Sequence, residues 1–309
     1  MSAENLASRW LDPHILMQIG SLELRARHIV EGFWSGLHRS PYHGYSVEFT
    51  EYRPYTLGDD PRHLDWRVLA RTDRHYVKRF EDETNLRCLV LLDASRSMDF
   101  GSVGYSKFEY ARTLVATLAY FLLQQHDAVG LARFSHEVDD YLPPRLRTGH
   151  WQRLLVSLEA PCTGRFTNLV TPLEQIAERL RHRGLFVLLT DALGDVERLA
   201  WGLECLLVRG QEVLVFQILD RAELTLPYDD PEMYEDLESG QQVYVDPSSY
   251  RPRYQQRIQA HLSQVELVCH QTGASFHRFL TDEPLGGALG DVLQARLRSR
   301  DRRTAKRRF

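Results

Sequence analysis

Leu89-Val90-Leu91-Leu92-Asp93-Ala94-Ser95-Arg96-Ser97-Met98 is the stretch that decides the fold. An apolar run this short, without polar alternation, reads as a strand buried on both faces. Asp93, Ser95 and Ser97 then follow its C-terminal end, the edge at which open parallel sheets place their ligand sites. One carboxylate and two hydroxyls form an all-oxygen donor set, suited to Mg²⁺ or Mn²⁺ and unsuited to zinc. The same residues also fit a plainer role, a helix start with Ser95 or Ser97 accepting from free N–H groups. The surrounding chain bears on the choice.

Gly184-Leu185-Phe186-Val187-Leu188-Leu189-Thr190-Asp191 repeats the theme of an apolar strand ending in an aspartate. Between the two strands, Gly164-Arg165-Phe166-Thr167-Asn168-Leu169 is a loop that opens a helix. Beyond residue 87 the pattern alternates: a helix over 108–125, a strand over 126–134, a short edge strand over 137–142 closed by Pro143-Pro144, and helices over 151–158 and 169–183. A helix over 196–209 capped by Gly210, a strand over 213–219 and a hairpin turning at Ser239-Gly240 follow. A helix over 250–269, a strand over 275–280 and a last helix over 284–297 complete it. This alternation predicts an α/β fold, a doubly wound, mostly parallel sheet with helices on both faces. Three loops of such a sheet can converge on one edge, gathering Asp93, Ser95, Ser97, Thr167 and Asp191 around a hard divalent cation with one position open to an outside ligand.

Upstream, Asp12-Pro13 opens a helical pattern that runs through Ile29 and is weakest at Gly20. A strand-like segment over 45–55 leads to Gly58-Asp59-Asp60-Pro61, a turn into a short helix with Asp60 as cap and Pro61 at its first position. Another strand is expected over 75–83. The division predicted is a smaller N-terminal α+β segment (1–85), the sheet domain (86–297) and a basic tail (298–309), the tail expected as a disordered end.

The totals fit a globular protein: 309 residues, 43% hydrophobic and 26% charged. The formal charge of −4 conceals a net +7 over residues 296–308, which leaves −11 elsewhere. That tail would attract RNA or anionic lipid by charge alone, but with the single aromatic Phe309 it offers no stacking platform, and no nucleic-acid partner is expected. Cys88, Cys162, Cys205 and Cys269 stand singly, as buried thiols of a reducing compartment do. No basic-then-apolar leader opens the chain, and the apolar run Leu114 to Leu123 is too short to span a bilayer. A cytoplasmic location without a transmembrane segment is expected.

Asp93-x-Ser95-x-Ser97, then Thr167, then Asp191 resembles the metal-ion-dependent adhesion site of von Willebrand factor A domains, in that order along the chain. The resemblance implies that Asp93, Ser95, Ser97 and Thr167 ligate or nearly ligate the cation, and that Asp191 acts directly or through water. Arg165 and Phe166 stand where many such domains have glycines, and Ala192 where glycine is common. Further upstream, Arg53-Pro54-Tyr55-Thr56-Leu57-Gly58-Asp59-Asp60-Pro61-Arg62-His63-Leu64-Asp65-Trp66, with Ala70-Arg71 and Lys78, is similar to the signature of an uncharacterised von Willebrand A-like subfamily associated with MoxR-type AAA+ ATPases. The later Asp220-Arg221-Ala222-Glu223 and the segment carrying Tyr254, His261 and Cys269 fit the same pattern.

Two functions follow as expectations. The first, implied by the resemblance, is a non-enzymatic, metal-dependent protein-binding module: an adaptor or co-chaperone of a MoxR-type ATPase or its client, taking a partner carboxylate on the bound cation. The second is a Mg²⁺-dependent phosphoester hydrolase, which a second carboxylate in the place of Ser95 would favour. The sequence has no H-x-x-x-H pair, no phosphate-binding G-x-x-x-x-G-K-[ST] and no nucleophile-elbow frame around Ser95 or Ser97. Asp59, Asp60, His63 and Asp65 read as capping and pairing groups in preference to a second catalytic centre.

Overall fold

A computed structural model describes residues 12–38, 52–54, 76–78, 86–162, 164, 169–285, 289, 290 and 292. The signature run 58–66, Thr167 and the basic tail lie outside the described residues. The chain divides into two compact units, Met1–Ser35 with Leu86–Phe309, and Gly36–Asn85.

The first unit begins with α1 (Pro13–Gln18) and α2 (Leu22–His38). Asp12 caps α1 by accepting from the His14 N–H at 2.9 Å, and Pro13 takes the first helical position, where its missing N–H costs nothing. The single helix expected over 13–29 is therefore two. The break at Ile19–Ser21 contains Gly20, the weak point of the pattern, and is held by Arg25, which donates to the carbonyls of Ile19 (2.6 Å) and Met17 (2.9 Å). Both helices bury apolar side chains in the core of the sheet unit. In the second unit, β1 (Tyr52–Pro54) pairs antiparallel with β2 (Tyr76–Lys78), Arg53 opposite Val77.

The sheet of the first unit is built from β3 (Arg87–Asp93), β4 (Ala128–Phe134), β5 (Val138–Arg145), β6 (Leu185–Thr190), β7 (Glu212–Leu219) and, after a separate hairpin, β10 (Ser275–Leu280). The helices between them are α3 (Lys107–Gln124), α4 (His150–Glu159), α5 (Val170–Arg179), α6 (Val196–Val208), the single turn and a half of α7 (Arg221–Thr225), and α8 (Pro247–Thr272). The hairpin is β8 (Glu232–Glu235) and β9 (Gln242–Val245), turning at Gly240 with φ +70°. Strand order is β10-β7-β6-β3-β4-β5, parallel throughout except for the antiparallel edge pair β4–β5. The α/β, doubly wound, mostly parallel sheet is what the alternation predicted.

Burial explains the apolar runs. On β3, Cys88, Val90 and Leu92 face one cluster with α1 to α4, while Leu89 and Leu91 face the other with α5, α6 and α8. Both faces are covered, so no polar alternation survives in the sequence. The edge strand β5 runs on through Pro143-Pro144, where the register with β4 shifts from Leu131–Leu142 to Val129–Arg145 and leaves both prolines out of the ladder. The helix expected over 169–183 stops at Arg179, with Leu180 extended. Gly202 of α6 lets that helix approach α5 so closely that a Cβ there would overlap the Leu173 side chain. The chain leaves β3 for β4 on one side and returns for β6 on the other, which puts the topological switch point between the C-terminal ends of β3 and β6.

Candidate functional site

Asp93 is the last residue of β3 and Asp191 immediately follows β6, so the two carboxylates flank the switch point. Both residues are buried, as is Ser95. Asp93 Oδ1 accepts the Ser95 N–H at 2.9 Å, and its Oδ2 accepts the Thr190 hydroxyl at 2.7 Å. After Ala94 the chain makes a 3₁₀ turn, Arg96–Asp99, entered through Ser95. Ser95 stands at the cap position but its side chain makes no capping bond. Its Oγ lies 3.1 Å from the Ser97 Oγ instead, and the Ser97 hydroxyl is among the groups that lower the Asp191 carboxyl. The plain helix-capping role is thus not the one these hydroxyls play.

Asp93, Ser95, Ser97 and Asp191 therefore form one connected set of oxygens, four of the five expected. Thr167 lies outside the described residues. Gly164, which opens its loop, donates to the Ala94 carbonyl at 3.3 Å and packs so tightly on Ser135 that no Cβ would fit. Gly164 itself is thus held directly beside the end of β3.

Three groups that the sequence did not single out as site residues complete the electrostatics. Lys107, the first residue of α3, is fully buried and donates to Asp191 Oδ2 at 2.8 Å and to Glu223 Oε1 at 2.5 Å. Glu223 closes a capping box on α7, its Oε2 accepting the Asp220 N–H at 2.9 Å. Thr190 is the third group, through its bond to Asp93. A signal for Lys107 existed: a cation in the first turn of an apolar helix opposes the helix dipole and needs a partner. Its partners, 84 and 116 residues away, left none.

The charges are unequal. Burial, and then repulsion from Asp191, pushes the Asp93 carboxyl up to about 7. Burial would push Asp191 up as well, but the Lys107 charge and hydrogen bond outweigh it and hold Asp191 below the usual carboxylate range. Burial disfavours the Lys107 ammonium, yet Asp191 and Glu223 raise it above its ordinary value, and burial leaves Glu223 raised despite Lys107. With every group ionised, three carboxylates face one ammonium, an excess of two negative charges. A divalent cation neutralises that excess and relieves the repulsion on Asp93.

The main chain behind Asp191 is fixed from two further elements. Gln217 of β7 donates to the Asp191 carbonyl at 3.0 Å and accepts from Arg278 of β10 at 2.9 Å. His261 of α8 meets the Ala192 carbonyl at 2.8 Å. Ala192 adopts φ +51°, the left-handed conformation that explains why glycine would suit this position. Among the described residues no three His, Cys, Asp or Glu side chains converge as a metal cluster. The set here is two carboxylates with two hydroxyls, a hard-cation donor type of lower charge.

The chain belongs to the family described as "Protein of unknown function DUF58", whose model matches residues 51–264. It is 26% identical over 277 residues to an uncharacterized protein of Mycobacterium tuberculosis and to one of Mycobacterium bovis, covering 88% of this chain and 86% of each relative. Similar solved structures include the conserved hypothetical protein BatB from Bacteroides thetaiotaomicron (14% identity, 68% of this chain and 98% of that one, TM-score 0.48). An aerotolerance-related membrane protein from Bacteroides fragilis is 16% identical, over 68% of this chain and 97% of that one, with a TM-score of 0.47. The SpRpn10 VWA domain is 11% identical, over 66% and 94%, with a TM-score of 0.40. No helix among the described residues is long and apolar enough to cross a membrane.

Proposed function

We propose that this member of a family of unknown function is a metal-dependent protein-binding module. Asp93, Ser95, Ser97 and Asp191, with Thr167, would hold Mg²⁺ or Mn²⁺ and leave a position for a carboxylate oxygen from a partner. The cation supplies the charge for a bridge that is charge-assisted and partly desolvated. The observation that carries this reading is the oxygen set gathered at the switch point, with three carboxylates around a single ammonium. Lys107 further supports a holding role: it keeps Asp191 ionised and fixed, which suits a ligand better than a general base. The partner class we favour, on the resemblance of residues 53–66 to a MoxR-associated signature, is a MoxR-type AAA+ ATPase or its client, with this chain as adaptor or co-chaperone.

The test pairs wild type with Asp93→Asn. Wild type should be stabilised by Mg²⁺, by about 2.7 kcal/mol at a hundredfold excess over Kd, and Asp93→Asn should not. In EDTA the variant should be as stable as wild type or more so, because Asn still accepts from the Ser95 N–H, can donate to the Thr190 hydroxyl where Asp93 accepted from it, and removes a buried charge. Affinity capture with both proteins, in Mg²⁺ and in EDTA, should recover a protein only with metal and Asp93. Equal Mg²⁺ stabilisation of both, or capture indifferent to metal and to Asp93, would refute the reading.

A further inference from the structure

The hairpin β8–β9 forms a two-stranded sheet of its own, and neither outer edge has a strand neighbour among the described residues. Its register sets Met233 opposite Tyr244 and Glu235 opposite Gln242 on one face, with Tyr234 opposite Val243 on the other. Met233 is 57% exposed, Val243 58% and Tyr244 67%, so both faces carry apolar side chains into solvent. The Asp236 N–H donates to the Gln241 carbonyl at 2.8 Å, which marks these two as a hydrogen-bonded pair. Antiparallel ladders alternate, so Met233 and Glu235 fall in the pairs that make no bonds across the hairpin. They turn their N–H and C=O groups to the outer edge of β8. Such an edge is a template for another strand, and a ribbon of two strands is marginal alone in water.

Charge selects the occupant of that edge. From Ala222 to Tyr250 the sequence contains no lysine, arginine or histidine. Glu232 and Glu235 stand exposed at the two ends of β8, and neither makes an ion pair among the described residues. Glu235 accepts from the neutral Gln242 amide, at 3.0 Å. Arg251, the first cation after the run, is engaged by the Leu226 and Tyr228 carbonyls and by Asp229. Glu232-Met233-Tyr234-Glu235 thus reads acidic-apolar-aromatic-acidic along the open edge. Side chains directly opposite on neighbouring strands interact, so the complement is a strand reading basic-apolar-apolar-basic, the same in either direction. Two copies joined antiparallel along this edge would set Glu232 against Glu235 twice, which like-charge repulsion disfavours.

We propose that the outer edge of β8 receives an extended basic segment of a partner protein, added as a strand, in which two basic residues flank two apolar ones. Backbone bonds to Met233 and Glu235 seat the segment, and its basic side chains pair with Glu232 and Glu235. The pairs are exposed, so the contact weakens with salt. It needs no cation at Asp93, and it therefore stands or falls separately from the metal-dependent contact.

Hydrogen exchange of single amides in the full chain, in EDTA, tests this with the end-capped peptide Ser-Lys-Lys-Val-Val-Lys-Lys-Ser. At about ten times its Kd the peptide should slow exchange at Met233 and Glu235 about tenfold. The effect should be lost at about 0.5 M salt. The same peptide with prolines for its valines keeps the charge but cannot add as a strand, and it should protect neither amide. Glu232→Lys with Glu235→Lys should lose the response to the lysine peptide and gain one to its glutamate counterpart, which a misfolded variant would not do. Unchanged exchange at Met233 and Glu235 overturns the proposal, as does equal protection by the proline peptide, which would leave charge attraction alone. Protection present without peptide and rising with protein concentration would give the edge to a second copy and overturn it too.

Discussion

Lys107 Nζ lies 2.8 Å from Asp191 Oδ2, with the two side chains 0% and 3% exposed. A fixed ammonium is thus built into the candidate site, sharing its protons between β6's exit and the capping box of α7. It ties the N-terminus of α3 to two loops on either side of β7, and it compensates one carboxylate of the set while leaving the other in deficit.

Removing that ammonium should be costly. Lys107→Met leaves Asp191 and Glu223 facing each other in a closed space, and we expect a loss of about 3–5 kcal/mol in urea unfolding. Adding Glu223→Gln removes one of the two exposed liabilities and should recover part of the loss. A Lys107→Met loss below 1 kcal/mol would show that water reaches the pair.

Asp220 makes a prediction about acid. Burial pushes its carboxyl up, but Ser102, by hydroxyl (2.5 Å) and N–H (2.9 Å), with the Ala222 N–H and the Thr281 hydroxyl, holds it below the ordinary 3.8. The folded state therefore binds fewer protons than the unfolded chain over that interval. The stabilisation is full above pH 3.8 and is lost as pH falls through the depressed folded value. Asp220→Asn should be less stable than wild type by about 1–3 kcal/mol at neutral pH. The gap should narrow as pH falls below 3.8; a gap constant down to pH 2 would contradict the assignment.

Arg25 should hold the N-terminal helices on the sheet. It is 4% exposed and, besides the two elbow carbonyls, pairs with Glu109 of α3 at 2.9 Å. Arg25→Met keeps the stem but strands both carbonyls and leaves Glu109 with Arg112 alone, for an expected loss of about 2–4 kcal/mol. Limited proteolysis should then cut first near Ile19–Ser21. Unchanged resistance there would mean that burial of Leu16, Leu22 and Ile29 suffices without Arg25.

Much of the frame was legible from local pattern. The β3 run, the β6 run and the alternation that follows carry buried-strand and helix periods, so fold class and strand edges could be read within a few residues. Of the candidate site, Asp93, Ser95 and Ser97 were legible because Asp-x-Ser-x-Ser compresses three oxygen-bearing side chains into one turn. The elbow at Gly20 and the extent of β5 were not, since an arginine binding carbonyls from the next helix and an edge position that excuses two prolines are tertiary facts. Nor could it be seen that α1 and α2 belong with the sheet, because what joins them to it is burial against α3, far along the chain.

By itself, then, the sequence determined which short segments are apolar strands, where each ends in a carboxylate or hydroxyl, and that a basic segment follows an acidic body. Tertiary structure alone decided that Ser95 does not cap its turn, that Thr190 holds Asp93, and that Lys107 neutralises Asp191 in company with Glu223. Local pattern is set by periodicity over a few residues. Charge balance in a buried site depends on groups brought together across 84 and 116 residues of chain, and only the packed sheet brings them there.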